Sequence, residues 1–341
     1  MLVQARDRRD GDPTIRVGFT CSKKIGNAVA RNRAKRRLRA VVADVLLQGA
    51  KHGWDYVLVG RPGVTIDRQC GSSQQSIQFA AQAVMSGTMD IVIAAGVESM
   101  TRVPMGSPTR LAAEAGLGMP MSPKMEERYP GVQFSQFTGA EMIVKKYGFN
   151  RDQLDAFALE SHKRAIRATE EGAFRNEILA LEVEGDEGRE MHTVDEGIRF
   201  DASPESIGSV KLLMEGGAIT AANASQICDG AAGVLVVNER ALKEHNLKPL
   251  ARIHNLTVTG GDPVIMLEEP IGATRKALQR AGMKIDDIDL YEVNEAFAPV
   301  PLAWLKEIGA DHARLNVNGG AISLGHPLGA SGAKLMTTLI N

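Results

Sequence analysis

Asn316-Val-Asn-Gly-Gly-Ala-Ile-Ser-Leu-Gly-His326-Pro-Leu-Gly-Ala-Ser-Gly332 sets a single histidine in a loop with five glycines. Glycines let a backbone approach a ligand closely and take positive φ, and Pro327 stiffens the chain beside the histidine. A lone histidine is usually structural or at the surface, but one fixed in such a loop is a candidate base. Upstream, Asp289-Leu-Tyr-Glu-Val-Asn294-Glu-Ala-Phe-Ala298 reads as a strand that delivers Asn294 and Glu295 at its C-terminal end. That is the edge where open α/β sheets carry their sites; polar capping of a strand end is the plainer alternative. Farther upstream, Val64-Thr-Ile-Asp-Arg-Gln-Cys70-Gly-Ser-Ser leads into the amphipathic run Ser76 to Met85, then Gly87 and an apolar strand from Asp90 to Ala95. A cysteine at a helix entrance meets backbone N–H groups and the positive end of the helix dipole, which lowers a thiol pKa. The alternative is a cysteine acting as a small buried hydrophobe.

The 341 residues are enough for two or three domains with a substantial core. A composition of 44% hydrophobic and 24% charged residues excludes wholesale disorder, collagen and coiled coil. No apolar run approaches the roughly 20 residues of a spanning helix, and the first twelve residues are charged, so a cytoplasmic protein without membrane contact is expected. Three cysteines, Cys21, Cys70 and Cys228, are widely spaced without a Cys-x-x-Cys pair, which argues against a disulfide framework or structural zinc. No phosphate loop with a Lys-Ser/Thr pair and no metal-ligand cluster appears, so neither nucleotide hydrolysis nor metal catalysis is favoured.

Taken together, Arg-Gln-Cys-Gly-Ser-Ser, Asn-Glu-Ala-Phe-Ala and the Gly-His-Pro loop resemble the thiolases, that is, acetyl-CoA acetyltransferases and 3-ketoacyl-CoA thiolases. The likeness runs through residues 64–341 and includes Gly217-Ala-Ile-Thr-Ala-Ala-Asn-Ala-Ser225 followed by Asp229-Gly-Ala-Ala-Gly. It implies an α/β protein with a layered α/β/α thiolase fold, its N-terminal half at 64–247 carrying a loop domain at 103–215, and its C-terminal half at 248–341. By the same resemblance Cys70 is the acyl-accepting nucleophile and His326 the base. Asn294 holds a water that helps stabilise the thioester oxyanion, and Ala221, Ser225, Ala296 and Phe297 line the substrate and coenzyme A. The reaction implied is acyl transfer between a cysteine thioester and coenzyme A, in fatty acid metabolism, with acyl-CoA as substrate, no permanently bound cofactor and a homo-oligomeric assembly. Ser135-Gln136-Phe137 stands where the short-chain biosynthetic subgroup has His-Met-Gly, which leaves chain-length preference open. The family's second cysteine lies in a Cys-x-Gly-x-Gly loop farther along, whereas this chain stops at Asn341, 15 residues after His326. The family's elements before the nucleophile are also missing, so the expectation is a thiolase whose full reaction is impaired by several orders of magnitude.

Residues 1–63 differ in character: they hold 14 Lys and Arg against 5 Asp and Glu, while the remainder holds 26 against 36. A basic head therefore precedes an acidic body, which suggests modules with different partners. Arg16 to Cys21 reads as a strand, Gly26-Asn27 as a turn, Ala28 to Leu47 as a helix, and Asp55 to Gly60 as a second strand, a short β-α-β fragment. Ala34, Leu38, Val41, Val42, Val45 and Leu46 form one apolar stripe of that helix, and six cations crowd its first half. Either a solvated face or a polyanion partner accommodates them. The run Arg31-Asn32-Arg33-x-x-Arg36-Arg37-x-Arg39 resembles the bacterial ribonuclease P protein subunit, in which this helix contacts RNA. RNA binding is thus the alternative function, with Arg31, Asn32, Arg33, Arg36, Arg37 and Arg39 as its residues and tRNA processing as its setting. The join, between about Gly60 and Arg68, has no Gly/Ser linker. A gene fusion, a recombination event or an assembly artefact that yields an inactive chimera would each produce this pattern.

Overall fold

The computed structural model describes residues 2–7, 9–10, 12–14, 16–21, 54–60, 66–185 and 188–341. The chain divides into two compact units, Met1–Thr65 and Ile66–Asn341.

The first unit carries a three-stranded sheet of β1 (Leu2–Asp7), β2 (Arg16–Cys21) and β3 (Trp54–Gly60) in the order β1-β3-β2. β2 runs parallel to β3, as a β-α-β crossover requires, and pairs Arg16 with Asp55 through Cys21 with Gly60. β1 runs antiparallel along the other side of β3, Leu2 opposite Val59. This strand was not expected, because all five of residues 6–10 are charged and obscure the short Leu-Val-Gln-Ala alternation before them. The helix expected at Ala28–Leu47, and with it Arg31, Asn32, Arg33, Arg36, Arg37 and Arg39, lies outside the described residues.

In the second unit, β4 (Ile91–Ser99) pairs antiparallel with β7 (Asp229–Val237), and β5 (Leu181–Gly185) forms a hairpin with β6 (Gly188–His192). The described helices of ten or more residues are α1 (Ser72–Met85), α2 (Gln136–Tyr147), α3 (Arg151–Glu171), α4 (Glu269–Ala281), α5 (Pro299–Ile308) and α6 (Ser331–Ile340). α1 buries Ile77, Ala80, Ala81 and Val84, the i, i+3, i+4, i+7 stripe of an amphipathic helix. They pack with Ala94 of β4, Val236 of β7 and Ala333 of α6, so α1, the strand pair and α6 share one core. A second core joins α2, α3 and α5 through Ile143, Leu154, Phe157 and Trp304 to Leu315 and Ile322, next to the histidine loop. α3 starts at a reciprocal capping box, Asn150 with Gln153, and ends at Gly172 with φ 72°, which satisfies its terminal backbone groups at both ends.

The segment Asp289–Ala298 differs from the expected strand. It makes one isolated parallel bridge, Tyr291 with Leu315. The side chain of Asn316 takes up the backbone of Val293 in place of a neighbouring strand, accepting from Val293 N at 2.9 Å and donating to Val293 O at 2.9 Å. Extended backbone is thus satisfied by an amide that mimics a ladder partner, which no alternation pattern encodes.

Candidate active site

Cys70 sits in a single 3₁₀ turn, Gln69–Gly71, immediately before α1. Its predecessor Gln69 has φ 47°, left-handed backbone that a non-glycine residue adopts at a cost of about 1–2 kcal/mol. Ser72 pins the turn: its hydroxyl accepts from Arg68 N at 2.9 Å and donates to Gln69 O at 2.7 Å. Such a local clamp holds the strained backbone of the turn that carries Cys70.

Two glycines bring the histidine loop onto this turn. A Cβ on Gly96 of β4 would come within 2.1 Å of Gly329 O and 2.6 Å of the Ser73 side chain. One on Gly332 would lie 2.3 Å from Gln74 N. Where those side chains are absent, the backbone after His326 packs directly on the first turn of α1. Ser73 Oγ then accepts from Ala333 N at 2.9 Å, and Glu98 accepts from Gly329 N at 2.9 Å. The segments carrying Cys70 and His326 are therefore in contact, β4 between them.

The imidazole of His326 is buried. Its Nδ1 lies 2.6 Å from Ser331 Oγ, and Ser331 Oγ donates to Pro327 O at 3.0 Å. A serine has one proton; with that proton on Pro327 O, its oxygen accepts from His326 Nδ1–H, which leaves Nε2 as the lone-pair nitrogen. Asn294 Nδ2 stands 3.3 Å from Nε2, on its donating side. Burial, reinforced by the Lys334 ammonium, pushes His326 down to about 4, so the ring is neutral near pH 7.

The Cys70 thiol departs from the expectation of a lowered pKa. Burial pushes it up from its ordinary value and the Glu98 carboxylate adds to this, while a hydrogen bond from the Gln136 side chain and one from its own backbone pull it back. Desolvation of the thiolate outweighs the helix end because the turn is covered. Both partners rest neutral, and the chemistry this supports is proton transfer concerted with attack rather than a standing thiolate.

Glu295 locks the two motifs together. Fully buried, it accepts from Ser161 Oγ at 2.7 Å, Asn316 Nδ2 at 2.8 Å and Ile322 N at 3.1 Å. Burial raises its pKa and these three donors oppose the rise. Gly320 packs so closely that a Cβ there would fall 2.2 Å from the Glu295 carboxyl carbon.

Of the other expected residues, Ser225 donates its N–H to Ala296 O at 3.0 Å, and Ala224 bridges Phe297, so Ser225, Ala296 and Phe297 meet. Phe297 packs edge to face with Phe137 of α2 at 5.4 Å. Ala221 lines a cavity of about 360 Å³ together with His162, Arg199, Asp201 and Gln226, within the size range of ligand sites. Gln226, which the sequence reading passed over, ties the Ser225 stretch to the histidine loop. Its amide donates to Gly197 O and Ile322 O, both at 2.7 Å, and its backbone carbonyl accepts from His326 N at 3.1 Å. Ser331 and Gln136 were also passed over as functional, although both stand inside quoted motifs. No group of three or more metal-ligating side chains occurs among the described residues.

The family model described as Thiolase, N-terminal domain matches residues 57–240, and that described as Thiolase, C-terminal domain matches 247–341. The chain belongs to the thiolase family. A third model, Ribonuclease P, matches residues 1–96. The steroid 3-ketoacyl-CoA thiolase FadA6 of Mycobacterium tuberculosis is 51% identical over 281 residues, 82% of this chain and 68% of that protein. A 3-ketoacyl-CoA thiolase of Psychrobacter cryohalolentis is 41% identical over 310 residues, 88% and 77% of the two chains. The crystal structure of human mitochondrial 3-ketoacyl-CoA thiolase superimposes with a TM-score of 0.72 at 31% identity, covering 96% of this chain and 80% of that one. Its complex with CoA superimposes at 0.70 and 30%. This thiolase therefore has the layered α/β thiolase fold and is a thiolase-type acyltransferase that uses coenzyme A thioesters as substrates.

Proposed function

We propose that this thiolase acts on 3-ketoacyl-CoA, as its relatives are named to do, with Cys70 as nucleophile and His326 as base. Cys70 Sγ attacks the thioester carbonyl carbon while its proton passes to His326 Nε2. The carbon–sulfur bond to coenzyme A then breaks, and the proton goes from His326 to the departing sulfur, leaving an acyl-Cys70 thioester. Asn294 Nδ2, beside Nε2, holds a water that donates to the developing oxyanion. Ser225, Ala296 and Phe297 flank the acyl end, and Ala221 with its cavity takes coenzyme A. The single observation that carries this reading is the His326–Ser331–Pro327 relay, which leaves Nε2 as the lone-pair nitrogen, beside Asn294 Nδ2, on a loop packed against the Cys70 turn.

The test is exchange of labelled coenzyme A into acetyl-CoA, which needs only the acylation half-reaction. His326→Ala is expected to lose about 10² to 10⁴ in rate, the usual worth of a general base. Asn294→Ala should lose about 10² to 10³, the worth of one oxyanion donor. Wild-type exchange in His326→Ala would overturn the assignment.

A cytoplasmic setting and a homo-oligomer are part of this reading. Among the described residues no helix is long and apolar enough to cross a membrane. Ile93, Val97 and Leu235 leave an apolar sheet face exposed, which supports assembly, and light scattering on the purified chain checks it. A second reading, RNA binding through the basic head, rests on the Ribonuclease P match and the parallel β2–β3 pair. Replacing Arg31, Arg33, Arg36 and Arg37 by Gln should weaken RNA binding and flatten its salt slope by about 0.7 to 0.9 for each phosphate no longer neutralised; an unchanged slope would refute it.

A further inference from the structure

Behind the histidine loop, α6 turns Lys334 and Thr338, one helical turn apart, toward two carboxylates. Thr338 donates to Glu177 at 3.3 Å, and Lys334 Nζ pairs with Asp195 Oδ2 at 3.3 Å. Lys334 Nζ also donates to the carbonyl of Leu324 at 2.5 Å, two residues before His326. With Glu292, Asn294 and Ser331 it lines a cavity of about 20 Å³, so the ammonium shares one small space with both side chains that hold the imidazole. The titratable groups that this ammonium acts on or pairs with are Glu177 after the turn Ala173–Asn176, Asp195 beyond β6, Glu292 beside Asn294, and Cys228 immediately before β7. Its charge bears on His326, Glu177, Glu292 and Cys228 alike.

We propose that Lys334 is a positioning residue for acyl transfer: it clamps the Leu324 carbonyl to Asp195, sets the place of His326 Nε2, and adds its positive charge to the buried surroundings of the ring. The inference rests on the reading of Cys70 and His326 given above. A loop carbonyl and a carboxylate held by one ammonium fix the backbone on one side of the histidine, as Ser331 fixes its ring on the other. The same positive charge, on a cavity it shares with Asn294 and Ser331, the two side chains that hold the imidazole, disfavours a second proton on the ring. A purely structural lysine would supply the clamp without the charge effect.

The experiment follows the His326 ring by ¹³C NMR from about pH 3 to 8 in the full chain, its signal assigned by loss in His326→Gln, alongside single-turnover acylation of Cys70 by acetyl-CoA. In Lys334→Met the ring titration should move up by about one unit, which by itself slows acylation about twofold at pH 5 on top of a pH-independent loss from the missing clamp, while Lys334→Arg restores both. Asp195→Asn, which keeps the ammonium but frees it, should slow acylation at every pH without raising the titration, and stands in if Lys334→Met does not fold. An unmoved titration in Lys334→Met, or an arginine variant that behaves as the methionine one, overturns the proposal. A shifted titration with no acylation of Cys70 in the wild type would instead uphold the charge effect and sink the catalytic reading of the site.

Discussion

Glu295→Ala removes a carboxylate that three donors share inside the protein. Asn316 Nδ2 retains its bond to Val293 O, and Ser161 can turn toward Ser323 Oγ at 2.9 Å, so neither is wholly orphaned. Ile322 N has no such alternative partner shown. One fully unsatisfied donor at about 1–3 kcal/mol, two weakened ones and the space left by the side chain sum to about 3–5 kcal/mol, the range typical of breaking a buried charged network. Glu295→Gln keeps one acceptor but turns an N–H₂ toward a donor, so about half of that loss is expected. Gly320→Ala strikes the same contact from the other side, since its Cβ cannot coexist with the carboxyl group. Urea unfolding gives the stabilities, and acylation of Cys70, measured well below each transition, reports on the loop. Stability and acylation should fall together, less in the Gln variant than in the Ala one, because Ile322 N and Gly320 belong to the loop that carries His326. A Glu295→Ala protein within about 1 kcal/mol of wild type, or one destabilised with acylation intact, would refute the idea that Glu295 holds that loop.

Gln136→Leu removes the side-chain hydrogen bond that pulls the Cys70 thiol down, so iodoacetamide alkylation of Cys70 near pH 7.5 should slow several-fold; an unchanged rate would show that the amide does not reach the sulfur. At Gln69, φ 47° suits glycine and penalises a β-branched residue, so Gln69→Gly should melt within about 1 kcal/mol of wild type and Gln69→Val should lose about 1–2 kcal/mol. Burial raises Glu177 to about 7, and its Oε2 is buried without a hydrogen-bond partner. The folded state therefore binds this proton more tightly than the unfolded one, and stability falls as pH rises from about 4.5 to about 7. Glu177→Gln should flatten that slope, leaving the variant about 1 kcal/mol ahead at pH 8 after allowance for solvent screening and equal to wild type near pH 4.5, as read by urea titrations at the two pH values.

The elements with strong local signals were legible. The α1 stripe and the 21-residue α3 follow from apolar spacing and caps. The apolar run expected at Asp90 to Ala95 became Ile91–Ser99, longer because Ser99 and Thr101 bond the side chain of Asp229 at the far end of β7, a contact 128 to 130 residues away in sequence. The residue types of the site, a cysteine before a helix and a histidine among glycines, were equally plain. What the sequence concealed was their electrostatic state. A helix entrance argued for a lowered thiol pKa, but burial depends on what covers the turn, and that cover, from α2 and β4, comes from distant segments. Ser331, Gln226 and Lys334 act through backbone carbonyls, and side chain to backbone contacts leave no spacing pattern to read. Ser331 was within reach: as the histidine's own neighbour five residues on, it is the hydroxyl that a neutral histidine in a tight loop requires.

The central claim, that Cys70 takes the acyl group with His326 as its base, is tested most directly by peptide mass spectrometry after incubation with acetyl-CoA. The account predicts one acetyl adduct, on the peptide containing Cys70, released by hydroxylamine and lost in His326→Ala. An adduct spread evenly over Cys21, Cys70 and Cys228, or one on Cys70 that persists at full yield in His326→Ala, would contradict it.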